Sequence, residues 1–429
     1  MKKAGVMALI LCVLCTGMLF ARGGTEELIK SPEEASDITK IVFLRAGTEP
    51  EKKEAFTKII ANFEAANPTI KVEYQEAPWG NDIETKLNTG FASGTAADVI
   101  NFSLASMGQR IPLGQYEPLN TYAKEWEGWN DFYPSALAAG SLGDTLYGIA
   151  YLADPRLLVY NKAMFEEAGL DPNKPPRTWE EMLDYHARLI KKDASGKVIQ
   201  TGLGLPTVGF NLNQWLTMFA VQNGAKNIVD DATNEILLNT PEVLEAVHFM
   251  DTIRKMGVIP FDDSKLDQNP FGNGTAAISV MSPNNFKSIN KGSLEGKIAM
   301  ASPLSNKQAG TFCGMHFMFM NSRSKNKDAA WKFMEFLTGK ESMKIWIETL
   351  GTAPLRKSLE PEYLAMYPEE GRYVLDAISA GTGVAKVAYS NTMFNIVNES
   401  IERIFYDQAT VEVAMKEAAE KLQKEIDNQ

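Results

Sequence analysis

Histidine and cysteine are scarce in this chain, with three of each in 429 residues. Cys12 and Cys15 fall in an apolar N-terminal run, which leaves Cys313 alone in the body of the chain. One thiol cannot staple itself, so a disulfide framework is excluded. His186, His248 and His316 lie far apart, and none has a second His or Cys at metal-ligand spacing. No metal and no cofactor are therefore expected. A Gly-x-Ser-x-Gly elbow and a phosphate-cradling Gly-x-x-x-x-Gly-Lys loop are both missing. Gly202, Gly204 and Gly209 have the wrong spacing for a dinucleotide fingerprint. An excess of basic residues is missing too: 43 Lys and Arg face 54 Asp and Glu, a net charge of −11. That balance excludes a nucleic-acid partner, which needs a basic face, and adhesion to anionic lipid through a polybasic patch.

Long hydrophobic runs are absent except at the start. Lys2 and Lys3 precede the uncharged stretch Ala4 to Phe20, and Ala21 precedes the polar Arg22-Gly23-Gly24. This pattern predicts a signal peptide over residues 1–21 and a mature N-terminus at Arg22. A retained membrane helix is one rival reading, although the run is shorter than the roughly 20 residues that span a bilayer. A lipid-modified Cys15 is another, although Val13-Leu14 stand where a lipobox needs small residues. Residues 22–39 are acidic and aperiodic, and are expected to form a tether. The chain is 45% hydrophobic and 23% charged overall, as in an ordinary globular protein, and long enough for two domains.

From residue 41 the pattern is regular. Ile41 to Leu44 reads as a buried strand; Phe56, Ile59, Ile60 and Phe63 share a helix face; Ile70, Val72 and Tyr74 alternate. Ile83, Leu87 and Phe91 mark a second helix, and Val99 to Phe102 a third strand. Strands alternating with helices predict a mostly parallel sheet covered on both faces. Farther on, two extended runs flank Ala153-Asp154-Pro155. Thr178-Trp179-Glu180-Glu181 is a capping box, and Thr240-Pro241 opens a helix that Gly257 ends. Ala276 to Met281 and His316 to Met320 read as strands. The last helix begins near Thr410, with Glu417–Lys421 and Glu420–Lys424 as i,i+4 pairs.

Several segments taken in order resemble the family 1 extracellular solute-binding proteins, the maltose-binding-like group of ABC importers. They are 63–72 (Phe63 through Asn67-Pro68 to Val72), 86–99 (KLNTGFASGTAADV), 147–165 (YGIAYLADPRLLVYNKAMF), 178–183 (TWEEML), 273–278 (NGTAAI) and 325–337 (KNKDAAWKFMEFL). The resemblance covers roughly residues 40–427. It implies a type II periplasmic-binding fold: two doubly wound α/β lobes joined by a hinge that the chain crosses near 152, 313 and 352. Residues 40–152 with 314–352 would form lobe 1, and 153–313 with 353–429 lobe 2. It also implies an exported, monomeric, non-enzymatic protein that closes over a carbohydrate-like solute and delivers it to the permease subunits of an ABC importer.

Site residues follow from the resemblance and from what sugars need, flat aromatic faces and planar polar groups. Asp154 occupies the family's acid position on the hinge strand, with Arg156 two residues on. Phe102 and Phe394 match cleft aromatics. Tryptophans common in the family are replaced by Ser282-Pro283-Asn284-Asn285 and by Cys313-Gly314-Met315, which favours a smaller or more polar ligand held through Asn284 and Asn285. Trp79, Arg45 and Glu76 sit at strand carboxyl ends, where open α/β sheets bind ligands. Each has a plainer reading: Asp154 could shape a turn, Arg156 could pair between lobes, and Asn284 and Asn285 could cap a helix. His316 reads as a satisfied strand residue. Paired carboxylates need only converge in space, so a secreted carbohydrate-active hydrolase stays open, as does a two-lobed sensor that docks on a receptor.

Overall fold

The computed structural model describes residues 38–428 apart from 210, 264, 266 and 267. The expected signal peptide, Cys15 and the tether through Asp37 lie outside the described residues. Two sheets organise the rest. In the first, Thr39–Ala46 pairs in parallel with Ile70–Ala77 on one side and Val99–Ser103 on the other. The long strand Thr311–Met320 runs antiparallel to both Val99–Ser103 and Gly148–Pro155 and touches the short strand Gly381–Thr382. The second sheet has the order Ile298–Ala301, Leu157–Asn161, Ala276–Met281, Val198–Leu203, Lys191–Lys192.

Helices cover these sheets because their apolar residues recur at helical spacing. Helix Pro50–Ala66 buries Ala55, Phe56, Ile59, Ile60 and Phe63. Helix Asn81–Ser93 buries Ile83, Leu87 and Phe91 and stops at left-handed Gly94. Helix Trp179–Leu189 opens on the expected box: Thr178 Oγ1 accepts from the Glu181 amide (3.2 Å), and Glu181 Oε2 accepts from the Thr178 amide (3.3 Å). Helix Pro241–Gly257 begins and ends at the expected residues, and helix Val411–Asp427 begins next to the expected Thr410. Among the described residues no helix is long and apolar enough to cross a membrane.

Two local expectations are corrected. The extended run continues through Asp154 to Pro155 and breaks only at Arg156, because the Gly314 pairing holds Asp154 in the ladder. On the last helix the charges pair outward, Glu417 with Arg403 and Lys421 with Glu399, because the neighbouring helix Ser390–Phe405 packs alongside. Glu420 meets Lys416 instead of Lys424.

His186 ties helix Trp179–Leu189 to the second sheet. Its Nδ1 accepts from the Leu203 amide (2.9 Å), so the proton sits on Nε2, which donates to Ile253 O (3.1 Å). Complete burial holds its pKa down at about 4. The unfolded imidazole takes its proton near pH 6.5 and the folded one resists until about 4. Below pH 6.5 the unfolded state therefore binds more protons, and the stability from neutral His186 is progressively lost as the pH falls towards 4. Between about pH 7 and 5 this contribution should drop by about 2 kcal/mol. Denaturant titrations of wild type and His186→Gln at both pH values measure it. Equal pH slopes in the two proteins would overturn the assignment.

Candidate functional site

The carboxyl ends of the first-sheet strands and the start of several helices surround one cavity of about 630 Å³. Its wall is built largely from helix N-terminal turns, where unpaired amides give a partial positive potential that suits electron-rich oxygens. Glu49 and Lys52 flank the start of helix Pro50–Ala66, and Asn81 and Glu84 that of helix Asn81–Ser93. From the other side come Asn211, Asn213 and Gln214 at helix Leu212–Gln222, and Asn284 and Asn285 at helix Pro283–Ile289. Asn391, Phe394 and Asn395 open helix Ser390–Phe405. Asp154, Phe312 to His316 and Arg156 form the floor where the chain passes from the first sheet to the second.

Seven of the nine expected residues meet here: Trp79, Phe102, Asp154, Arg156, Asn284, Asn285 and Phe394 all line the cavity. Trp79 stacks on Phe102 (centroids 5.7 Å, 25°) and meets His316 edge-on (5.3 Å, 69°). Asn284 and Asn285 do not cap their helix with their side chains; Ser282 does, accepting from the Asn285 amide (3.3 Å). The side-chain amides of Asn81, Asn284, Asn285, Asn391 and Asn395 have no hydrogen-bond partner among the described residues.

Arg45 and Glu76 are not part of the wall, which corrects the expectation for them. They are register partners on adjacent strands, so their side chains meet each other first: Arg45 Nη1 donates to Glu76 Oε1 (2.7 Å). Arg45 is wholly buried and also pairs with Glu49. The Glu49 carboxylate in turn accepts from Trp79 Nε1 (3.3 Å) and from Lys52 (3.3 Å). Burial pushes the Glu49 pKa up, but Lys52 and Arg45 outweigh it and hold the acid at about 2. Gly47, at φ +98°, lets this corner close, since a Cβ there would lie 2.6 Å from Trp79 Nε1.

Asp154 Oδ2 accepts from Arg156 Nη1 (2.8 Å), and Arg156 Nη2 donates to Gln214 Oε1 (3.1 Å). Gln214 Nε2 reaches Asn211 Oδ1 (2.7 Å), so acid, guanidinium and two amides form one chain along the floor. Burial raises the Asp154 pKa, but the Arg156 charge prevails and leaves it at about 2. The Cys313 thiol is pushed up to about 12 by burial, which keeps it unreactive.

Glu49, Lys52, Asn211 and Asn391 were not anticipated from sequence; Pro50 marks the helix start that places Glu49 and Lys52, while no proline opens the helices of Asn211 and Asn391. His316, expected to be a satisfied strand residue, instead lines the cavity with its Nδ1 unpartnered among the described residues.

The sequence profile of the bacterial extracellular solute-binding proteins matches residues 58–369. An sn-glycerol-3-phosphate-binding periplasmic protein of Shigella flexneri is 25% identical over 346 residues, 76% of this chain and 76% of that one. A solute-binding protein of Thermotoga lettingae, solved with α-D-tagatose, superposes with a TM-score of 0.78 at 24% identity, over 90% of this chain and 99% of that one. The sugar-binding protein MalE of Xanthomonas citri gives a TM-score of 0.78 at 23% identity, over 90% and 97%. With a profile covering well over half its length and the same two-lobed α/β fold around the cleft, this chain belongs to the bacterial extracellular solute-binding proteins.

Proposed function

We propose that the protein works outside the cytoplasm as the solute-binding component of an ABC importer, and that its solute is a sugar or a sugar-like polyol. The five unpartnered amides around the Trp79–Phe102 platform carry this reading. An amide side chain offers both donor and acceptor in a fixed plane, which matches a ring of hydroxyls. Stacked indole and phenyl rings cover the apolar face of a pyranose. The volume lies within the range of small-molecule sites. Solutes of relatives, sn-glycerol 3-phosphate and tagatose, have the same oxygen-rich chemistry.

The proposed moving bodies are residues 40–152 with 314–352 and 153–313 with 353–429. A solute that touches both lobes only when they are together favours closure by that difference in affinity. A thermal-shift panel of maltose, mannobiose, D-tagatose, D-mannitol and sn-glycerol 3-phosphate tests the solute class. At least one should raise the melting temperature, by mass action on the folded state. Small-angle scattering with that solute should then show no expansion and, from an open start, a smaller radius of gyration. If the whole panel, extended to other mono- and oligosaccharides, leaves the melting temperature unmoved, the sugar reading fails.

A further inference from the structure

We propose that His316 recognises the solute, donating the Nε2 proton of its neutral imidazole to a solute oxygen next to the hydroxyl that Asp154 holds. The inference rests on the cleft being the solute site. His316 borders the cavity, yet its Nδ1 is sealed from solvent and has no hydrogen-bond partner among the described residues. The ring is fixed by its neighbours, edge-on to Trp79 (5.3 Å) and to Tyr151 (6.2 Å). A β-bulge makes this placement: His316 is opposite Leu152 and Phe317 opposite Ala150, so Tyr151 is the extra residue on the facing strand. Bulges of this kind re-aim a side chain beside a functional site.

The position of the proton follows from the sealed atom. A buried N–H without an acceptor is rarer and costlier than a bare lone pair, so Nδ1 carries no proton. The ring therefore keeps its single proton on Nε2, the nitrogen that retains access to the cavity. Burial and the Lys52 charge, against the opposing fields of Asp154 and Glu49, hold the His316 pKa at about 3, so the ring stays neutral at physiological pH. Asp154 supplies only acceptors, and Lys52 is committed to Glu49 (3.3 Å). A solute hydroxyl that donates to Asp154 leaves the neighbouring oxygen in need of a donor, and His316 supplies it.

Glutamine places an amide nitrogen near the Nε2 position, whereas asparagine places one near Nδ1. Calorimetric titration of wild type, His316→Gln, His316→Asn and Asp154→Asn with the panel sugar giving the largest thermal shift makes the test. The expected result is about a tenfold loss of affinity for His316→Asn and a loss under about threefold for His316→Gln, as suits one neutral hydrogen bond. The unliganded melting temperature should change little for His316→Gln and fall for His316→Asn, whose amide N–H would lie near the sealed, acceptor-free Nδ1 position. Wild-type affinity in both His316 variants, with Asp154→Asn impaired, overturns the role of His316 and leaves the cleft as the site. Equal losses in both overturn the Nε2 donor. Full affinity in all three, Asp154→Asn included, overturns the cleft reading together with this one.

Discussion

Replacing Asp154 by asparagine is expected to weaken solute binding between about tenfold and several hundredfold, with little change in the melting temperature of the free protein. The carboxylate commits Oδ2 to Arg156 at 2.8 Å, while Oδ1 has no partner among the described residues and stands at the cavity. Its pKa of about 2 keeps it ionised at any working pH. Hydrogen bonds to charged groups contribute about 1.5–3 kcal/mol, roughly twice the neutral value. The amide side chain of the variant would hold the shape but replace one acceptor by a donor, which faces the solute hydroxyl or Arg156 with the wrong polarity. Arg156 would still reach Gln214, and the site is only partly buried, so the free fold should lose little. Calorimetry with the panel sugar decides the first point and thermal melting the second. Wild-type affinity combined with a much lower melting temperature would show that Asp154 shapes the chain and does not hold the solute.

Replacing Arg356 by alanine should cost about 3–5 kcal/mol of stability, the range for breaking a buried ionic cluster and opening a cavity. The guanidinium is 1% exposed and lies against the rings of both Phe132 (4.2 Å) and Trp126 (4.9 Å), which themselves meet edge-on (5.6 Å, 65°). Nε donates to Thr338 O and Nη1 to Gly128 O, both at 2.8 Å, and Asp131 stands 3.6 Å away. One planar group thus fastens the loop 126–132 to the end of helix Lys327–Leu337. Its removal strands two carbonyls and leaves a void against two rings. Arg356→Lys should not restore the loss, since an ammonium has neither the plane to stack nor the fork to reach both carbonyls. Urea unfolding measures the effect, and affinity for the panel sugar should survive in whatever folds, because Arg356 is not on the cavity wall. A loss below about 1 kcal/mol would mean that neighbouring groups take over its contacts.

The fold was legible where burial writes a period. Phe56, Ile59, Ile60 and Phe63 announced their helix, and the Thr178 box its start, because both signals are local. The lining was legible where a strand end or a helix start could be placed, as with Trp79, Phe102 and Asn284. Strand position does not say which neighbour a side chain meets first, and that is why Arg45 and Glu76 were misplaced: the parallel register between their strands pairs them beneath the wall. Gln214 and Asn211 reach the floor only because helix Leu212–Gln222 packs against the long strand Thr311–Met320, which no short stretch of sequence records. The charge pairs of the last helix went astray for the same reason, since Arg403 and Glu399 come from the preceding helix.

The strand Thr311–Met320 sets the timetable by which the molecule can be made. Among the described residues it alone joins Val99–Ser103 to Gly148–Pro155, and its bond from Asn101 to Phe317 spans 216 residues. At about 5–20 residues per second, a ribosome leaves those two strands with open edges for roughly 10–40 s before their shared neighbour emerges. Closing so long a loop costs little more entropy than closing a shorter one, because the cost grows only with the logarithm of length. The delay is therefore one of synthesis and search, and a nascent chain with two waiting edges is a natural client for a chaperone until residue 320 is in hand.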